Sequence, residues 1–313
     1  TAVFMTRLVY EHFMSKDKWL GLTFTTKISK NLMTNTRFDF MGTNKKSLII
    51  VSAIIVVCIG SFAIRGLSQS IDFTGGRNFK VQFENPVEPE QVRELISSKF
   101  GDANVSVIAI GTDKKTVRIS TNYRIEDEGN NVDSEIESYL YETLKPVLTQ
   151  NITLETFIDR DNHTGGSIVS SQKVGPSIAD DIKTGAIYSV VLALLAIGLY
   201  ILLRFRNIAY SIGSIVALSC DTIMIIGAYS LFWGILPFSL EIDQTFIGAI
   251  LTAIGYSIND KVVIFDRVRE FFGLYPKRDK RVLFNDSLNT TLARTINTSL
   301  STLIVLLCIF ILG

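Results

Sequence analysis

Gly255-Tyr256-Ser257-Ile258-Asn259-Asp260-Lys261-Val262-Val263-Ile264-Phe265-Asp266-Arg267 is the stretch that decides how this chain folds. From Gln244 to Asn259 no residue is charged. Asp260 and Lys261 then stand in the run, and Val262 to Phe265 are apolar again before the charged end Asp266-Arg267-Val268-Arg269-Glu270. Such a run predicts a helix crossing a membrane. A carboxylate at that depth costs about 2.5–3.5 kcal/mol even on lenient insertion scales. A chain that keeps such a group uses it, most often as a proton or ion relay.

The pattern recurs outward from this helix. Ser47–Ile64, Gly185–Leu203 and Thr295–Gly313 carry no charge, and Asn207–Leu240 carries one, Asp221. Each run approaches the roughly 20 residues needed to cross the hydrocarbon. Five membrane helices are predicted, near 47–65, 185–203, 208–232, 244–265 and 293–313. A composition 47% hydrophobic excludes an ordinary soluble domain.

Charge then sets the expected topology. Residues 67–183 hold 12 Lys/Arg against 19 Asp/Glu, a net of −7, which leaves +8 for the remainder of a chain whose net charge is +1. Cations cluster at Lys27, Lys30, Arg37, Lys45 and Lys46, at Arg204 and Arg206, and from Arg267 to Arg281. The positive-inside rule puts these clusters in the cytoplasm and turns residues 67–183 and the loop 233–243 outward. The run Lys277-Arg278-Asp279-Lys280-Arg281 beside a membrane helix points to lipid head groups rather than nucleic acid.

Residues 1–14, from Thr1, read as the tail of a preceding membrane helix whose start is missing, and 15–46 as a cytoplasmic linker with a short interfacial helix near Ile28–Met33. Residues 66–183 read as a separate domain between the span at 47–65 and the four spans of 184–313. Within it, Phe79, Val81 and Phe83 alternate as in a strand. Pro89 opens a helix that ends at Gly101. Val105–Ile110 and Thr116–Ser120 read as strands, Val132–Leu148 as a helix and Ser167–Val174 as a last strand. That order, β-α-β-β-α-β, is ferredoxin-like. Gly75-Gly76 and Gly165-Gly166 read as tight turns at its edges. Cys58, Cys220 and Cys308 show no paired spacing, and with two His a metal site is disfavoured.

Four stretches in order resemble the SecF subunit of the bacterial SecD–SecF protein-export complex, within the resistance–nodulation–division superfamily. They are Ile71-Asp72-Phe73-Thr74-Gly75-Gly76, Val174-Gly175-Pro176-Ser177-Ile178, Gly255–Asp260 with Asp266–Glu270, and Arg294-Thr295-Ile296-Asn297-Thr298-Ser299-Leu300. The resemblance runs from about Phe38 to Gly313. The first 35 residues are more similar to the end of SecD, which implies a fused SecD–SecF chain lacking most of SecD and the last SecF helix. Two positions depart from the pattern. Lys261 stands where Thr usually follows the acid, and Cys220 where His often precedes the third-helix acid.

The resemblance implies a proton-motive-force-driven accessory subunit of the Sec machinery in the bacterial inner membrane, with residues 66–183 in the periplasm. Its implied partners are the SecD portion, the SecYEG translocon, an unfolded preprotein and membrane lipids, with no nucleic acid. Protons serve as the coupling ion, and no cofactor is expected. Asp260 and Arg294 lie roughly 9 and 12 Å inward from the helix ends marked by Asp266 and Asp286. Their matched depth predicts that they meet, either as a static pair or as a switch. A nearby guanidinium favours an ionised carboxylate, and apolar isolation favours the protonated one. Asn259 is expected to bond the carboxylate or a neighbouring helix. Asp221 reads as a second relay group or as a protonated acid bonded to a backbone carbonyl. Lys261, about 100° round the helix from Asp260, is expected to snorkel to the cytoplasmic interface. A small-molecule or lipid exporter of the same superfamily and a non-transporting translocon scaffold are the alternatives. No nucleophile–base arrangement points to an enzyme.

Overall fold

The computed structural model describes residues 2–16, 37–101, 103–111, 113–127, 131–149, 152–161, 165–236 and 240–312. The expected interfacial helix near Ile28–Met33 lies outside them. The elements run α1 (Ala2–Met14), α2 (Phe40–Arg65), α3 (Ile71–Thr74), β1 (Gly76–Gln82), α4 (Pro89–Phe100), β2 (Val105–Ile110), β3 (Thr116–Thr121), α5 (Val132–Leu144), α6 (Leu154–Ile158), β4 (Ser167–Val174), α7 (Pro176–Phe205), α8 (Ile208–Phe232), α9 (Gln244–Leu274) and α10 (Lys280–Leu312). Among the described residues five helices, α2, α7, α8, α9 and α10, are long and apolar enough to cross a membrane. The chain forms two units, 44–265 and 1–43 with 266–312.

In the first unit, β1 to β4 make one antiparallel sheet in the order β2-β3-β1-β4, with α4 between β1 and β2 and α5 between β3 and β4. This is the expected ferredoxin-like arrangement. The alternation Phe79, Val81, Phe83 turns those rings and the isopropyl of Val81 onto one face. There they meet Val117 and Ile119 of β3, Val92 and Ile96 of α4, and Ile136, Leu140 and Leu144 of α5. Pro89 stands at the start of α4, where its missing N–H costs nothing. Arg77 is 1% exposed. Its guanidinium donates to Asp133 Oδ1 at 2.8 Å and to the carbonyls of Tyr123 and Arg124 at 3.0 and 3.1 Å, tying β1 to the start of α5.

The glycine pair after α3 is a geometric requirement. Gly75 has φ 72° and donates its N–H to Ile71 O at 2.9 Å, closing the short helix. Gly76 has φ 153°, and a Cβ there would lie 2.7 Å from Ile71 Cγ2 and 2.9 Å from the carbonyl oxygen of Thr121. No larger residue enters this turn without moving β3.

The same unit joins this domain to the membrane helices through the segment between α8 and α9. Gln69 and Ile242 form a parallel bridge, with Ser70 N to Ile242 O at 2.9 Å and Ile242 N to Ser68 O at 2.8 Å. Asp72 Oδ2 accepts from the amide of Gln244, the first residue of α9, at 3.2 Å. Glu241 accepts a hydrogen bond from Ser106 of β2 and pairs with Arg118 of β3 at 3.4 Å.

Small residues let the membrane helices approach closely. A Cβ on Gly227 of α8 would lie 2.2 Å from Cys58 Cβ of α2, and the hydroxyls of Ser61 and Ser230 are 3.1 Å apart. Arg65 donates to the carbonyls of Leu231 and Trp233 at 2.8 Å each, capping the end of α8. Between α7 and α8, Arg206 adopts a left-handed conformation, φ 52°, and Asn207 caps α8 by accepting from Ala209 N at 2.9 Å. Ser211 then reaches back to Gly198 O at 2.6 Å, fixing the hairpin.

In the second unit, α10 begins at Lys280, well before the apolar run expected near residue 293. Its first turns have their own buried stripe, Leu283, Ser287 and Thr291. Asn285 and Asn289, one turn apart, hold the backbone of Phe38 and Phe40 through bonds of 2.8–3.1 Å. Arg278 pairs with Asp286 at 3.0 Å. α7 and α9 likewise exceed their expected spans, at Pro176 and Leu274, because continuing a helix keeps its backbone satisfied beyond the hydrocarbon.

Candidate functional site

The site is built on two facing stripes. On α9, Phe246, Ile250, Ile254, Ser257, Lys261 and Phe265 recur at three- and four-residue spacing, one face of a helix. On α8, Leu218, Asp221, Ile225 and Tyr229 do the same, with Tyr210 about two turns before Leu218. Phe246, Ile250 and Ile254 are buried with Leu218 of α8 and Phe73 of α3. At the end toward the ferredoxin-like domain, Tyr229 and Phe246 pack tilted, with ring centroids 4.4 Å apart. At the other end Phe265 lies 4.8 Å from Tyr210 and 5.7 Å from Phe205 of α7.

Between these apolar layers sits a polar cluster. Asp221 Oδ2 accepts from Ser257 Oγ at 2.6 Å and from Lys261 Nζ at 2.7 Å. Lys261 also donates to Ser257 Oγ, so the three groups close a ring. The ion pair is largely covered, with the Lys261 and Asp221 side chains 19% and 33% exposed. In a helix pair crossing hydrocarbon, each charge offsets the desolvation of the other.

This arrangement corrects one expectation. Lys261 does not snorkel to the interface. Its ammonium pairs instead with Asp221 of α8 at 2.7 Å. The carboxylate of Asp221 meets an ammonium and a hydroxyl rather than the backbone carbonyl expected of a protonated acid. The signal was present in the sequence, since Ser257 and Lys261 extend the spacing 246, 250, 254.

Asn259 and Asp260 precede Lys261 on α9, and Arg294 stands on α10. Asp260 is partly buried, has an interaction of its own, and sits about 100° round α9 from Lys261. Asn259 is exposed. Arg294 is exposed on α10 and belongs to the unit 1–43 with 266–312, whereas Asp260 belongs to 44–265. Among the described residues no group of three or more His, Cys, Asp or Glu is placed to hold a metal ion.

Comparison with known proteins gives this geometry a family. Residues 128–313 match the family "Protein export membrane protein SecD/SecF, C-terminal", and residues 60–87 match the "SecD/SecF GG Motif", which contains Gly75-Gly76. The protein translocase subunit SecF of Rhodothermus marinus is 37% identical over 279 residues, covering 89% of this chain and 83% of that protein. The protein translocase subunit SecDF of Thermus thermophilus is 30% identical over 282 residues, covering 90% of this chain but 35% of that protein. The crystal structure of SecDF from the same genus, described as a translocon-associated membrane protein, aligns with a TM-score of 0.69 at 29% identity, over 90% of this chain and 34% of that one. The chain thus spans most of a SecF and about a third of a SecDF. With a family match over more than half its length, five membrane-type helices and a ferredoxin-like domain inserted after the first of them, the chain belongs to the SecD/SecF family of protein export membrane proteins, as a SecF-type, multi-pass accessory subunit of protein translocation.

Proposed function

We propose that this subunit converts a proton gradient into assistance for polypeptide export across the bacterial inner membrane. The observation that carries the reading is charge held inside membrane helices of a translocase-family chain. Asp260 stands in the stretch 244–265 of α9, where Lys261 beside it is the one other charged residue. Charge at that depth is retained where it serves transport.

In the proposed cycle Asp260 takes up a proton when isolated and releases it when the guanidinium of Arg294 approaches. Arg suits the second role because it stays charged throughout. Asn259 orients the carboxylate or steadies the neighbouring helix. A membrane potential supplies about 2.3 kcal/mol per charge per 100 mV. The domain 66–183, joined to the start of α9 through Ile242, Glu241 and Asp72, faces the periplasm and transmits the helix motion to an emerging preprotein. SecD and the SecYEG translocon complete the machine. Membrane vesicles with and without this subunit test the proposal. Added stimulation of preprotein export is expected only when a proton gradient is imposed, and equal stimulation after its collapse rejects the proton-driven reading.

A further inference from the structure

We propose that Lys261 is a tethered counter-cation that keeps Asp221 out of proton exchange, so that the exchange falls to the neighbouring acid, Asp260. This rests on the proton-driven reading above and assigns its traffic to one of the two membrane carboxylates.

Three observations carry it. First, a single oxygen of Asp221 receives both donors, Ser257 Oγ at 2.6 Å and Lys261 Nζ at 2.7 Å. A proton arriving there must displace a charge-assisted bond and leave an ammonium behind. Second, apart from Ser257 the other residues of its own stripe, Phe246, Ile250, Ile254 and Phe265, are apolar. Leu218 and Ile254 pack on one side of the cluster, and the rings of Phe205, Tyr210 and Phe265 close the other. Third, the apolar stretches of α2 and α7 bring no competing charge. α2 is uncharged over Ser47–Ile64 and α7 over Gly185–Leu203. Apart from Asp260, the titratable groups of these apolar stretches are phenols and thiols, with Tyr188 and Tyr200 of α7 exposed, Tyr210 in the aromatic layer, Cys58 against Gly227, and Cys220 beside Asp221 on α8. Lys261 and Asp260 are consecutive on α9 and point about 100° apart, so the pair can stay closed while Asp260 faces a different neighbour.

Carbodiimide modification read by peptide mass spectrometry tests this on the chain assembled with its SecD portion in membrane vesicles. Dicyclohexylcarbodiimide reacts with protonated carboxyl groups in apolar surroundings. At neutral pH Asp221 is expected to stay unmodified in the wild type, to gain modification several-fold in Lys261→Met, and to regain protection in Lys261→Arg. The neutral double variant Asp221→Asn/Lys261→Met is expected to insert normally and to keep its gradient-stimulated export, because a pair outside the proton path can be exchanged for an uncharged one. Modification of Asp221 in the wild type overturns the proposal, as does modification unchanged by Lys261→Met. So does loss of gradient stimulation in a double variant present at wild-type level. The modification readout does not depend on export, so it decides the role of Lys261 even if export proves independent of the gradient.

Discussion

Arg77 and Lys261 show how differently a charge is held in the two environments of this chain. Arg77 is enclosed in the water-facing domain, where two of its three partners are main-chain carbonyls and its carboxylate partner, Asp133, is 58% exposed. Lys261 is enclosed between membrane helices, where its partner Asp221 is largely covered too. Removing either cation therefore has different consequences. Arg77→Met strands two carbonyls while Asp133 hydrates, and is expected to destabilise the domain by about 2 kcal/mol. Lys261→Met leaves a half-buried carboxylate without its cation, and the expected cost is about 1–3 kcal/mol. Thermal unfolding of the detergent-solubilised variants checks both. The Lys261 variant should recover when Asp221→Asn is added, and Arg77 should not be rescued by Asp133→Asn. Equal rescue in both pairs contradicts this account of how each charge is satisfied.

At the scale of elements, close helix contact predicts a specific cross-link. The hydroxyls of Ser61 and Ser230 are 3.1 Å apart, and Gly227 leaves no room between α2 and α8. Ser61→Cys/Ser230→Cys should form a disulfide on mild oxidation in membranes. Its absence places α2 away from α8. The elements also show what was legible in the sequence. Val105–Ile110 and Ser167–Val174 read as strands because they are short apolar or alternating runs between turn residues, and the structure keeps the same bounds. α3 and α6 were not foreseen, since each is a single turn held by a Ser or Thr cap, Ser70 and Thr153. The early start of α10 was hidden because its stripe Leu283, Ser287, Thr291 is weakly apolar. Asp260 stood out as an acid in an apolar run. The Lys261–Asp221 pair did not, because a partner 40 positions away is a tertiary fact. A long flexible side chain takes whichever counter-charge the packing offers.

At the scale of the whole molecule, function requires that events in the membrane helices reach the ferredoxin-like domain. The segment before α9 is the physical link, since Ile242 pairs with the chain leaving α2 and Glu241 holds β2 and β3 through Ser106 and Arg118. Glu241→Ala should loosen this junction without unfolding either side. Hydrogen exchange at the Ser70 and Ile242 amides should rise about tenfold, the equivalent of one charge-assisted bond of about 1.5 kcal/mol. Unchanged exchange would mean that the backbone bridge alone holds the domain. The proposed sidedness has its own test. A cysteine at Asp127 should react with an impermeant thiol reagent added from the periplasmic side, and one at Lys277 should react only from the cytoplasm.

The central claim is that Asp260 carries the proton. Asn nearly matches Asp in shape and can hydrogen-bond, but it cannot take up and release a proton near neutral pH, and losing a charge eases insertion. Export by vesicles carrying Asp260→Asn, at matched protein level and with and without an imposed proton gradient, measures this directly. The account predicts normal insertion and no gradient-dependent stimulation. Stimulation at the wild-type level would contradict it and make Asp260 a structural acid.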